Sequence, residues 1–139
     1  MFTNSDAWVL LAIVYNHKAG GSDLQKIIAT ADGINHAVLT FEELGGGLTR
    51  LVNAGLVVEQ DHRYFVTAPV IAAYAKTHST RGPVQRDLKN MVKFLDAYHG
   101  QEQKTLGSSP ERPHITQDSY ERAIKSYVGE SKDRCQLPQ

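Results

Sequence analysis

The chain has 139 residues and carries 15 lysines and arginines against 15 aspartates and glutamates, a formal net charge of zero. That length suffices for one domain with an appendage and a real core, and the charge balance argues against tight sequence-independent nucleic-acid binding, which favours strongly basic domains. A lone cysteine, Cys135, leaves no intramolecular disulfide to form and suits a reducing, cytoplasmic setting.

The first predicted helix runs from Asp6 to about Lys18, with Ser5 as its N-cap. Residues Ala7 to Tyr15 are apolar without a break. A helix apolar all round needs cover on more than one side, from the C-terminal half of the chain or from another subunit. The run is far too short to span a bilayer, and no basic leader with a small-residue cleavage site accompanies it, so neither a membrane partner nor a signal peptide is expected. Gly20 and Gly21 break the chain. Ser22 and Gln25 have the spacing of a capping box, and Leu24, Ile27, Ile28, Ala31 and Ile34 form the stripe of a second helix whose end near Asp32-Gly33 is open.

The third helix is the most strongly signalled. Thr40 and Glu43 form a capping box, and Leu39 and Leu44 have the spacing of a hydrophobic staple. Phe41, Leu44, Leu48, Leu51 and Val52 fall on one stripe, and Gly55 stands where a left-handed C-terminal cap belongs. A strand then begins with Leu56, Val57 and Val58, turns at Asp61 and His62, and returns through Tyr64, Phe65 and Val66. Thr67 reads as an N-cap, with Pro69 in the first turn of a fourth helix reaching about His78.

The segment resembles the winged helix-turn-helix superfamily, especially bacterial one-component repressors of the antibiotic-resistance and phenolic-acid types. The matching residues are Leu44, Leu48 and Leu51, then Ala54-Gly55-Leu56-Val57, then Tyr64-Phe65-Val66-Thr67. With the two upstream helices, the resemblance covers roughly Asp6 to His78. It implies a mainly α fold with a short β-hairpin as wing: residues 1–79 as the winged-helix domain, 80–99 as a packing or dimerisation helix, and 100–139 as linker, short helix and flexible tail. If the second helix stops at Ala31, the link to Thr40 exceeds the usual turn of such a motif.

The fifth helix starts at Gly82-Pro83 and runs to about His99. Val84, Leu88, Met91, Leu95 and Tyr98 make a two-heptad seam, short for a coiled coil. It fits either a homodimer through helices one and five or packing on helix one. Residues 100–114 read as a linker, Gln117 to Val128 as a short helix, and the chain past Gly129 as frayed.

The resemblance implies that the outward face of helix three enters a DNA groove. That face carries Glu42, Glu43, Gly46, Thr49, Arg50 and Asn53. Arg50 can pair with guanine, Asn53 with adenine, and Thr49 can meet a phosphate or a thymine methyl. Glu42 and Glu43 oppose this, and a solvated polar face is an equal alternative. In residues 1–79 acidic side chains outnumber basic ones, seven to five. His62 and Arg63 at the wing tip can touch a minor groove or form a plain polar turn. Arg81, Arg86, Lys89 and Lys93 around helix five can contact phosphate or an acidic partner, or simply solvate the helix.

Gly45-Gly46-Gly47 costs roughly 3 kcal/mol if the helix is continuous. Close approach of another helix, or a kink, would account for it. The six histidines have no metal-ligand spacing and no partner cysteines, so no metal is expected. No paired carboxylates, serine elbow or dinucleotide fingerprint appears, and neither enzyme activity nor a cofactor is expected. The leading expectation is sequence-specific binding of double-stranded DNA. The alternative is a winged helix that binds another protein, and a third is ligand sensing in a cleft between a helix-five dimer arm and the wing domain.

Overall fold

A computed structural model describes residues 2–78, 82–102 and 115–136, with the side chains of 19, 99–102 and 130–136 left aside. Helix α1 (Asn4–Tyr15) lies at the centre, and residues Asp6 to Val14 are all buried. It starts two residues earlier and ends three earlier than expected, because Thr3 rather than Ser5 is the N-cap. The Thr3 hydroxyl accepts from the Asp6 N–H at 3.1 Å, and the Asp6 carboxylate accepts from the Thr3 N–H at 3.0 Å. Residues His17–Ala19 form a 3₁₀ turn closed by Gly20 at φ 95°.

Helix α2 (Leu24–Asn35) is capped by Asp23, not by the expected Ser22: the Asp23 carboxylate accepts from the Lys26 N–H at 2.8 Å. Ser22 is used elsewhere. It exchanges two backbone hydrogen bonds with Tyr64, tying the α1–α2 connection to the hairpin. Helix α2 runs through Gly33 and ends where His36 turns left-handed, leaving only residues 36–40 before the next helix.

Helix α3 (Phe41–Asn53) has the expected bounds and capping box. Leu44, Leu48 and Leu51 are fully buried, as is Leu39 before the cap. It closes in a Schellman motif: Gly55, at φ 76°, donates to Val52 O, and Leu56 donates to Leu51 O, both at 3.0 Å. The helix is continuous through the glycine triplet because two of the three lie under neighbours. A Cβ on Gly47 would stand 3.3 Å from Asp6 Oδ1 and Val9 Cγ2, and one on Gly45 would stand 3.3 Å from Ile115 Cγ1.

Strands β1 (Val57–Gln60) and β2 (Arg63–Val66) pair antiparallel, Val57 opposite Val66 and Gln60 opposite Arg63. Asp61 and His62 have φ of 53° and 63°, the left-handed pair that a two-residue hairpin turn needs to follow strand twist. Helix α4 (Ala68–Thr77) follows. Thr67 does not cap it with its side chain; its hydroxyl donates back to the carbonyls of Gly55 and Leu56.

Helix α5 (Val84–Glu102) lays its seam on α1. Met91 and Leu95 are buried, Leu88 and Tyr98 half-buried, and Val84 exposed. Helices α2, α3, α4 and α5 and strand β2 all pack on α1, so its apolar run is buried within this one chain.

Helix α6 (Gln117–Gln136) is eight residues longer than the expected Gln117–Val128 and continues past Gly129. It packs on α2. Ile115 and Ala123 are buried, the Tyr120 hydroxyl donates to Leu39 O, and the Tyr127 hydroxyl bonds the Asp32 carboxylate. The fold is thus mainly helical with one two-stranded antiparallel hairpin. Among the described residues, no helix is long and apolar enough to cross a membrane.

Candidate functional site: the outward face of α3 and the adjoining groove

The polar face of α3 is largely committed to its own fold. Arg50 clamps Asp6 of α1 through two parallel bonds, Nε to Oδ2 at 2.6 Å and Nη2 to Oδ1 at 2.7 Å. Asp6 is completely buried, while the Arg50 side chain keeps 28% exposure. This is the two-pronged geometry that makes Arg–carboxylate pairs strong. The sequence places Arg50 on the outward face; the structure turns it along the helix toward α1, over Gly46, whose missing Cβ leaves room for the guanidinium.

Thr49, expected to face DNA, is buried at 6% exposure, and its hydroxyl donates to Gly45 O one turn earlier. Asn53 is exposed, as is Glu42 at the opposite end. Glu43 is turned aside, accepting from the Thr40 N–H at 2.9 Å and from the Ser5 hydroxyl at 3.0 Å. The N-terminal half of α3 is also flanked by the C-terminal segment, with Ile115 over Gly45 and the Tyr120 ring edge-on to Phe41 at 5.8 Å.

At the hairpin tip His62 and Arg63 are exposed, and Arg63 Nη1 donates to Gly20 O at 3.2 Å. Gly20 adjoins the C-terminal end of α1, where the Gly21 N–H meets Asn16 O. Arg50 sits at the N-terminal end of that helix. The helix is twelve residues long, about 18 Å at 1.5 Å per residue. The expected site cations are therefore not gathered in one place. Arg86, Lys89 and Lys93 are exposed on α5, and Arg81 lies outside the described residues.

Beside the Arg50–Asp6 clamp, a groove of about 560 Å³ opens between the N-terminal turns of α1 and α3, the end of α2, and α5. Trp8, Leu88 and Val92 give it an apolar surface; Lys89 and Lys93, with Asn4 and Asn35, give it a polar rim. The Trp8 indole N–H is already spent on Ala31 O at 2.8 Å, so the ring offers the groove only carbon.

A second polar cluster links α1, α4 and α5. The Tyr15 hydroxyl donates to Asp87 Oδ2 at 2.7 Å, and His78 Nδ1 lies 3.1 Å from the same oxygen, with the Tyr74 ring stacked on the imidazole at 4.5 Å. Burial first, then the bond to Asp87, pushes the Tyr15 phenol well above its ordinary value of 10.0.

Sequence reasoning missed Asp6, Trp8 and Asp87 as site residues. A signal for Asp6 was present: a carboxylate opening an unbroken apolar helix must be buried with it, and a buried carboxylate needs a cation. Among the described residues, no group of three or more His, Cys, Asp or Glu side chains is arranged to hold a metal ion. Comparison with protein-family models, with curated proteins and with solved structures finds no match.

Proposed function

We propose that the chain is a winged-helix module, with β1 and β2 as a short wing, that acts by binding another protein and not by reading bases with α3. The observation that carries this is the Arg50–Asp6 clamp. The side chain best suited to read guanine already holds a fully buried carboxylate through both prongs. Releasing it to a base would leave that charge unpaired inside the molecule, at a cost comparable to or larger than the roughly 1–3 kcal/mol a good base contact contributes. Zero net charge, the acidic surplus in residues 1–79 and the separation of Arg50 from Arg63 point the same way. The corner between α2 and α3 offers a partner an exposed Val38, at 46%, beside the exposed Glu42.

A DNA-binding regulator is the second reading, favoured by the exposure of Asn53, His62 and Arg63. Fluorescence anisotropy at low salt, comparing genomic fragments with random duplex, separates the two. Equal, weak binding to both is expected. A clear preference for one fragment, lost in Asn53→Ala, overturns the interaction reading. Its positive arm is a partner recovered by affinity purification and reassembled from purified components, with Glu42→Lys weakening the complex.

A further inference from the structure

We propose that the groove between α1, α3 and α5 binds a small amphipathic anion, a carboxylate carrying a compact apolar body. Its volume, about 560 Å³, lies inside the range of roughly 300–1,000 Å³ typical of small-molecule sites. Its composition also follows that pattern, an apolar lining with a few polar groups at the edge. The half-buried Leu88 and Val92 supply most of the apolar part, and Trp8, 6% exposed, adds only a small patch of its ring.

The charge is supplied by α5. Lys89 and Lys93 are one helical turn apart on the groove side, so both ammonium groups can reach one carboxylate. Both side chains are exposed, and among the described residues neither ammonium is paired with a carboxylate. The acidic residue lining the groove, Glu43, is held by the Thr40 N–H on one oxygen and the Ser5 hydroxyl on the other, and among the described residues it forms no ion pair with either lysine. A dianion such as phosphate suits the place less well. No arginine fork lines the groove, and phosphate has no apolar body to cover Leu88 and Val92.

Trp8 is the chain's single tryptophan, so its emission reports on the groove directly. The experiment titrates the full chain with hexanoate and octanoate, and with the matching uncharged amides, by tryptophan fluorescence and calorimetry. Saturable binding is expected, tighter for octanoate, and at least about tenfold weaker for the amides. Lys89→Gln and Lys93→Gln should each weaken octanoate binding severalfold. Arg86→Gln, which removes an exposed cation of the same helix outside the groove, should leave it unchanged. All three positions are exposed, and unchanged unfolding midpoints confirm that the variants fold. Absence of saturable binding overturns the proposal. So does equal affinity for acid and amide, or an Arg86→Gln effect as large as that of the lysine variants. None of these outcomes bears on whether a partner protein binds elsewhere.

Discussion

Asp6 has no exposed surface, and its two oxygens are shared between the Thr3 N–H and the Arg50 guanidinium. Removing the cation strands a charge in an apolar interior, so Arg50→Met is expected to lower stability by about 3 kcal/mol. This is the lower end for a broken buried pair, because Arg50 itself is partly exposed. Arg50→Lys should recover only part of the loss, since one ammonium cannot bridge both oxygens as a planar fork does. Urea denaturation of the two variants checks both statements. Glycines sort by the same local reasoning. Nothing lies within 4 Å of a Cβ at Gly33, so Gly33→Ala should stabilise by up to about 1 kcal/mol through helix propensity. Gly47→Ala should destabilise despite the same propensity gain, because its Cβ meets fully buried Asp6 and Val9 at 3.3 Å. Thermal midpoints of the pair should move in opposite directions. What was legible at this scale was local: the Thr40–Glu43 box is four residues long and reads directly from the chain. The Arg50–Asp6 clamp joins residues 44 apart, and no periodicity reports the direction in which a long side chain leans.

Among the elements, α3 and the hairpin were readable because their signals reinforce one another: cap, stripe, left-handed stop, alternating strand residues. The start of α1 was misjudged because Thr3, Ser5 and the acidic Asp6 crowd one turn, and the choice of cap falls to the pair that can reciprocate. The length of α6 was underestimated for a different reason. Its later turns are polar, and an apolar stripe stops signalling before the backbone stops winding. That contrast carries a prediction about local opening. Helix α1 is enclosed on every side, while α6 is held mainly through Ile115, Ala123 and the hydroxyls of Tyr120 and Tyr127. Native-state hydrogen exchange should show α1 amides exchanging only through global unfolding and α6 amides through a lower-energy opening of their own. Equal protection in both helices would contradict the picture of a separately releasable C-terminal arm.

For the molecule as a whole, four tyrosines shape the response to alkali. Tyr15, Tyr64, Tyr74 and Tyr120 are all raised above 10.0, in each case chiefly by burial, with nearby carboxylates adding to it. Each therefore holds its proton in the folded state at a pH where the unfolded chain has lost it. Their contribution is complete below about pH 10 and is lost as pH climbs toward the higher folded values. Urea midpoints measured from about pH 8 to about pH 11 should be flat with respect to these groups at first and then fall. Tyr15→Phe should flatten the fall while lowering stability at neutral pH, since Asp87 then loses a hydrogen-bond donor inside the molecule.

The placement of α1 has a further consequence, for the order of events during synthesis. The rod on which α2, α3, α4 and α5 all pack is made first among the elements described, and it is greasy around its whole circumference. Sixty-eight residues lie between its last residue, Tyr15, and Val84 at the start of α5, which also covers it. At about 5–20 residues per second, translation leaves the surface under α5 uncovered for several seconds. A chaperone that grips short apolar segments on the ribosome should therefore crosslink to a nascent chain stalled before α5 and release it once α5 has emerged.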